Sequence, residues 1–444
     1  MKRATRRRLR QLLWLYFWLL IFEGALRKWV LPGLSNPLLL VRDPIALLAV
    51  WWGWPLLQQR RWQIWVLPLL IFGSLGGLLA VAVGHGDLFT AVYGARVFLL
   101  QLPLISVFAA VFDRRDVLRF AWVLLWLSIP MTLLLATQSG LPDSHILNVG
   151  PGGFGTAAFE GALGRSRPPG TFTFVNGVVS FYAMGAASLF MVLYGSKVRL
   201  RGRLFCMVAG IALVVALPVS ISRSLLAGYL LVIASLIATL VIARVKLLPL
   251  VSGLAAVVIA FGLATSIPAF QDTSAAFLAR WEGAGSASGS VREEVGDLGI
   301  ATDQLQNRVL PGFTRPFGSL ERIPLFGYGV GMGSNVGAQR LGASGGFLLG
   351  EGGWEVILGE LGPLLGVLFI VWRVALAFWM LRLALRAAGR GNRLPLILIG
   401  ASFLDVMSSQ LSQPTGLGFT VLSGGLTLAA CNSEPQAPLA RAAS

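Results

Sequence analysis

The sequence predicts an all-α polytopic membrane protein, and three observations carry that prediction. The chain is 56% hydrophobic and 12% charged, whereas water-soluble globular domains carry about 25% charged residues. Apolar windows recur along almost its whole length, each long enough to cross a hydrocarbon core of about 30 Å, which takes roughly 20 helical residues. These windows outrun the strands of a porin and do not alternate polar with apolar residues, so helices rather than a barrel satisfy their backbone.

About twelve windows follow one another. "MKRATRRRLR" leads into 11–31; it resembles a signal-peptide n-region, but no small-residue cleavage site follows, so this is read as a retained first span. The second window, 37–57, is separated by "QQRR" from the third, 63–83, and the "GHGD" turn introduces 90–111. "DRRDVLR" precedes 118–137, an outward segment 138–171 precedes 172–194, and "SKVRLRGR" precedes 204–220. A very tight connection at Arg223 leads to 224–243, and "ARVK" to 247–267. A long outward loop, 268–354, precedes the tenth window, 355–380; "RLALRAAGRGNR" then leads to 394–411, and 415–431 to a tail, 432–444. The windows form a single membrane domain, and a loop as long as 268–354 is usually functional or disordered.

Lys and Arg in short loops set orientation. With both termini in the cytoplasm, every dense basic cluster falls inside, so most of the net charge of +17 is topological. Anionic lipid headgroups account for it, and no nucleic-acid motif is present. Twelve basic residues remain outside: Arg27, Lys28, Arg42, Arg165, Arg167, Arg223, Arg280, Arg292, Arg308, Arg315, Arg322 and Arg340; one of them is lysine. Arg96, Arg373 and Asp405 are the charges placed near mid-span. Cys206 and Cys431 fall where they cannot staple an outer loop, and no residue cluster has metal-ligand spacing. "GVGMGSNVG" lacks the preceding strand and following lysine of a nucleotide-binding loop.

Several constellations each have a chemical and a structural reading. In "GRSRPPGTFTFVNG" the two prolines hold the chain extended, fixing Arg167 at the outer face, either as a snorkelling interfacial arginine or as a guanidinium facing a membrane-anchored phosphate. "SISRS" presents Ser220, Ser222, Arg223 and Ser224 at one point, where Arg223 meets either a neighbouring helix or a ligand phosphate. Glu23 and Arg27, one turn apart, and Arg42 beside Asp43 read as ion pairs locking the first two spans. Glu351 and Glu355 share a face at the start of the tenth span, either as a base or sugar ligand or as complements of the helix dipole, with Glu360 on roughly the opposite side. His85 and His145 read as isolated surface residues.

Taken together, four motifs occur in a recognisable order: "RPPGTFTFVNG", "SISRS", "IPLFGYGVGMGS" and "ELGPLLGVLF". That order is similar to the O-antigen ligase and O-antigen polymerase superfamily of bacterial polytopic membrane proteins. The resemblance implies a GT-C-like, metal-independent glycosyltransferase without cofactor in the bacterial inner membrane. Its donor would be a polyprenyl-pyrophosphate-linked glycan, and membrane lipids and other polysaccharide-assembly proteins its partners. By motif, it assigns diphosphate binding to Arg167 and Arg223, with Arg165 beside them, and to one of Arg308, Arg315 and Arg322. Where the ligases carry a His-Asn pair, the nearest counterpart to the histidine here is Glu351, which with Glu355 becomes the catalytic candidate. The alternatives are a transporter or flippase for lipid-linked or anionic solutes, and a non-catalytic scaffold.

Overall fold

The computed structural model describes residues 3–153, 160–162, 165–195, 198–244, 275, 310–318, 320–341 and 352–432. Among them, nine helices are long and apolar enough to cross a membrane. The first, α1 (Arg3–Ala25), continues through a π-helical turn, Leu26–Val30. Next come α2 (Asp43–Leu57), α3 (Arg60–Ala82), and a span made of α4 (Leu88–Arg96), the π-turn Val97–Gln101 and α5 (Leu104–Val111). These are followed by α6 (Arg114–Gly140), α7 (Val175–Gly195), α8 (Leu200–Val219) and α9 (Arg223–Ile242). Two short helices, α10 (Leu310–Gly318) and α11 (Asn335–Leu341), precede α12 (Gly353–Gly389), α13 (Leu394–Ser408) and α14 (Pro414–Cys431). The one ladder described pairs Glu160–Ala162 with Arg165–Ser166.

The twelve expected windows and the nine spans differ for identifiable reasons. The window 247–267 lies outside the described residues. The window 37–57 becomes a 3-10 turn, Pro37–Leu40, followed by the 15 residues of α2, because Pro37 and Arg42 interrupt the helix; another 3-10 turn, Pro32–Leu34, precedes it. The window 394–411 stops at Ser408, which leaves α13 with 15 residues, about 22 Å of helix.

Polar layers close the bundle at its two ends. At one, Arg6 donates to the Val111 carbonyl at 3.1 and 3.0 Å, Arg10 pairs with Asp113 at 2.8 Å, and Asn432 donates to the Ala109 carbonyl at 3.0 Å. The start of α1 and the end of α14 therefore meet at the same end of α5, so Arg3 and Asn432 lie on one side. The opposite end, which the basic loops assign to the outside, holds the buried charges described below.

Short α13 sits at the centre, packed against α7, α9, α12 and α14. Its last turn ends inside the bundle, where its free carbonyls need donors. Arg373, 1% exposed, supplies them: it donates to the carbonyls of Val406, Ser409 and Asp405 at 2.8, 2.9 and 3.0 Å and to Ser409 Oγ at 3.2 Å. Trp354 Nε1 donates to the Met407 carbonyl at 2.9 Å.

A second break is matched in the same way. Pro363 cannot donate to the carbonyl of Gly359, and Gly362 leaves the helix with φ of 74°. The amides freed from that duty are replaced from the glycine-rich turn: Tyr328 N donates to the Gly359 carbonyl at 2.8 Å and Gly329 N to the Glu360 carbonyl at 3.1 Å. Backbone lies directly on backbone, since a Cβ on Gly327 would overlap the Gly362 nitrogen and one on Gly362 the Gly327 nitrogen.

Gly327 and Gly86 both have positive φ, 73° and 74°, but nothing lies within 4 Å of a Cβ on Gly86. Gly86→Ala should therefore cost only the left-handed penalty, about 1–2 kcal/mol, whereas Gly327→Ala must also push the turn off α12. The thermal midpoint in detergent is expected to fall further for Gly327→Ala; equal shifts would show that this docking contributes nothing.

Candidate functional site

The candidate site is built on the outward ends of α1, α4, α12 and α14 and on residues 148–150 and 166–173. Its frame is a buried ladder of charges. Arg42 Nε donates to Glu23 Oε2 at 2.7 Å, Arg42 Nη2 to the Pro414 carbonyl at 2.5 Å and Arg42 Nη1 to Tyr16 Oη at 3.4 Å. Glu23 also faces Arg27 at 3.6 Å, and Arg96 pairs with Asp43 at 3.0 Å. Gly418 leaves room for the Arg42 guanidinium, which a Cβ there would overlap. Glu23, Arg27 and Arg42, read from their spacing as locking the first two spans, do pair, and Arg42 ties α14 to them as well.

Lys28 breaks the balance. It is 2% exposed, donates to the Gly170 carbonyl at 2.5 Å and lies 4.6 Å from the Trp29 ring centroid, and among the described residues no carboxylate pairs with it. Arg27, Lys28, Arg42 and Arg96 are all buried, against two carboxylates, Glu23 and Asp43, an excess of two positive charges. Burying an ion costs several kcal/mol even after relaxation, and Lys28 offsets that cost with one carbonyl and one aromatic ring.

Lys28 and Arg167 line one cleft, with Gln138, Asn148 and Thr173, of about 350 Å³ of empty space including its open mouth. Local sequence explains how Arg167 comes to it. Pro168 and Pro169 fix the chain, and Gly170 is anchored at both ends: its amide donates to Gln138 Oε1 at 2.9 Å while its carbonyl accepts from Lys28. Thr171 Oγ1 donates to the Ile21 carbonyl at 2.7 Å, and Gly24 admits the backbone of 171–173 against α1. The "RPPGTF" motif is thus docked on the outward end of α1.

A second cleft lies between α4, the glycine-rich turn, α12 and the connection 409–413, lined by Tyr93, Arg96, Ser334, Glu360 and Ser412 among others. Glu360 Oε1 accepts from Gly331 N at 3.2 Å and from Gly333 N at 2.9 Å, clasping the turn to α12. The turn is latched from its other side: His85 Nε2 lies 3.1 Å from the Val330 carbonyl, its Nδ1 accepts from Asp87 N at 3.0 Å, and Arg340 donates twice to Asp87, at 2.7 and 3.0 Å.

The remaining candidates are placed as follows. Arg223 is the first residue of α9, half-buried, after Ser222, which caps the helix, and Ile221, a β-branched residue held at φ of 47°. A cation at a helix N-terminus is disfavoured by the dipole, and left-handed isoleucine is strained. Arg223 lines neither cleft; α9 packs against α7 and α13, whereas the Arg167 cleft is built on α1 and the end of α6. Arg165 lies in the strand Arg165–Ser166, opposite Ala162. Arg315 on α10 and Arg322 in the turn Leu320–Arg322 are exposed, and neither lines a cleft. Arg308 and Glu351 lie outside the described residues. Glu355 makes the capping contact, accepting from Gly352 N at 3.1 Å, which is the dipole-complementing role. His145 accepts from Leu147 N at 3.2 Å and braces its own loop.

Sequence reasoning missed Lys28, the lone lysine among the outer cations, and Glu360, set aside because it points away from Glu351. Comparison with models of known protein families, with curated proteins and with solved structures finds no match to this chain. The findings define a polytopic, helical, multi-pass membrane protein.

Two outcomes test the site. Arg42→Met leaves Glu23 buried with only the distant Arg27, and should cost about 3–5 kcal/mol, read as loss of monodisperse protein; Arg42→Lys should rescue little, because one ammonium does not reproduce the spread of the guanidinium over three acceptors on two helices. At the latch, the Arg340 bonds, and then those of Thr90, hold the Asp87 carboxyl well below its usual range. A depressed pKa means that the latch is fully present above the ordinary carboxylate value and is lost as pH falls below it. Hydrogen exchange at 335–341, corrected for intrinsic rate, should be flat between about pH 5 and about pH 8 and raised throughout in Asp87→Asn.

Proposed function

We propose that this protein is a membrane glycosyltransferase that takes its glycan from a polyprenyl pyrophosphate and works at the outward end of the bundle. The observation that carries this reading is the Lys28–Arg167 cleft: two cations on one small opening, one of them buried with no carboxylate to neutralise it among the described residues. Two cations on one opening fit an anionic ligand, and a diphosphate esterified to a membrane lipid is an anion found at this depth.

The chemistry follows from charge. A hydroxyl of the acceptor forms a bond to the anomeric carbon of the donor, the carbon–oxygen bond to the diphosphate breaks, and the polyprenyl pyrophosphate leaves with the electron pair. Negative charge grows on the bridging oxygen as that bond breaks. Fixed cations in a site with little water stabilise it without reorganising at the moment of reaction. Lys28 is held by the Gly170 carbonyl, and Arg167 by the prolines that follow it, so both are positioned before a donor arrives. Arg223, on its strained turn, is the residue the motif order adds. Transfer to another lipid-linked repeat would make the protein a polymerase; transfer to a different lipid acceptor would make it a ligase.

The test is incubation of the purified protein in lipid with a polyprenyl-pyrophosphate-linked oligosaccharide from its own host. New glycosidic products are expected from the wild type, and Lys28→Gln and Arg167→Gln should each lower the rate by on the order of a hundredfold, as loss of a charge-stabilising donor does. Wild-type rates in both variants, or vectorial movement of the lipid without new bonds, would overturn the reading.

A further inference from the structure

The second cleft holds an unusual pairing of groups. Arg96, 8% exposed, spends one nitrogen on Asp43 and leaves Nε buried without a hydrogen-bond partner. Across the cleft Glu360, 6% exposed, uses Oε1 for the two amides of the turn, and Oε2 has no partner among the described residues. Ser412 Oγ is also buried and unpartnered. A guanidinium and a carboxylate thus line the same opening, and no ion pair joins them. The Tyr93 ring, stacked 3.9 Å under the Arg96 guanidinium, lines the cleft beside them.

Those vacant positions select a ligand class. A free anion would satisfy Arg96 and repel Glu360, and a cation would do the reverse. A group that donates and accepts at once satisfies both, and neighbouring hydroxyls on a sugar ring do so. The cleft also lies close to the first one. Ser412 lines the second, and Thr415 Oγ1 lies 3.4 Å from Thr173 Oγ1, which lines the first. Three residues separate 412 from 415, at most about 11 Å of chain.

We infer that the cleft between α4 and the first segment of α12 is a saccharide subsite, in which Glu360 Oε2 accepts from one sugar hydroxyl while Arg96 Nε and Ser412 donate to others. In terms of the function proposed above, and resting on it, this is where the acceptor sugar sits while the donor diphosphate occupies the Lys28–Arg167 cleft. Glu360 then has two tasks, one per oxygen: holding the glycine-rich turn and orienting the acceptor. The purely structural alternative gives it the first task alone.

Glu360→Gln separates the two, because the amide oxygen still accepts from Gly331 and Gly333 while the charge is removed and an N–H replaces Oε2. Ser412→Ala touches neither the clasp nor the charge ladder and serves as the second variant. The protein in nanodiscs would be titrated with two probes that report separate clefts: methyl glycosides of glucose, galactose, mannose and N-acetylglucosamine by saturation-transfer NMR, and geranyl diphosphate by calorimetry. At least one glycoside should bind, on the order of tenfold more weakly in Glu360→Gln and in Ser412→Ala and unchanged in Lys28→Gln. Geranyl diphosphate should show the opposite pattern. If no glycoside binds while the diphosphate does, or if glycosides bind all variants equally, the subsite is wrong and the proposed function stands. If glycosides respond to Glu360 while the diphosphate does not bind at all, the subsite stands and the donor reading falls.

Discussion

The structure depends on one constraint: inside a bilayer no water is available to satisfy a backbone group, so every interruption of a helix needs a partner from elsewhere in the chain. This protein interrupts its helices repeatedly, and in its outward half. The segment 31–42 runs in 3-10 turns, α4 passes into α5 through a π-turn and Pro103, α12 breaks at Gly362 and Pro363, and α13 stops at Ser408. At three of these breaks donors from outside the interrupted turn appear. Arg27 Nε takes the Ser35 carbonyl at 2.8 Å, the glycine turn takes the carbonyls of 359 and 360, and Arg373 takes those of α13. The buried cations are in large part the price of irregular backbone at depth.

That accounting separates structural cations from the others. Arg42 and Arg373 are spent on carbonyls and on a carboxylate, and removing either takes several donors at once from buried acceptors. Lys28 takes a single carbonyl although it carries three donors. Arg96 meets one carboxylate oxygen and keeps an unused nitrogen. The two clefts open at these two under-used cations. Irregular backbone and chemistry are linked physically here: a break brings polar groups to a depth where helices alone would present only side chains, and whatever the break does not consume faces the opening.

How much of this was legible follows from the same logic. The spans were legible because burial in lipid imposes a continuous apolar run, and α6, α7, α8 and α9 begin and end within four residues of their windows. The Glu23–Arg27 contact was legible from helical spacing, whereas of the local and cross-helix readings of Arg42 beside Asp43 the structure has the second: Arg42 pairs with Glu23, 19 residues away, and Asp43 with Arg96. The start of α2 was not, since 37–42 is apolar enough to read as helix and is diverted by Pro37 and by Arg42 seeking Glu23 and Pro414. Glu360 was hidden for a different reason: its partners are amides 27 and 29 residues upstream, and a face argument within one helix says nothing about a turn that docks on the opposite face. Lys28 carried a weak signal, as the single lysine among the outer cations, and its isolation from carboxylates became visible only when the segment 167–173 was seen lying over it.

The distribution of polar groups with depth also bears on whether the protein moves a solute or works on one face. A carrier needs polar groups at successive depths that change partners as the solute passes. Below the outward clefts the mid-depth arginine, Arg373, makes four hydrogen bonds and is 1% exposed, so it caps a helix rather than lining a route. Further toward the other end, the packing around α1, α5 and α6 is aromatic and apolar: Trp14 stacks on Phe120 at 3.7 Å, Phe17 meets the same ring edge-on, and Phe108 and Phe112 fill the space beside them, all of these phenylalanines buried. Beyond that layer Arg6, Arg10, Asp113 and Asn432 tie the helix ends together. Among the described residues, both clefts open at one end of the bundle, while the other buried polar atoms without partners, such as Ser188 Oγ, Ser423 Oγ and Arg393 Nε, are scattered singly and line neither cleft. Two clefts of different chemistry about three residues of chain apart suit the meeting of two substrates at one face better than the passage of one substrate between two.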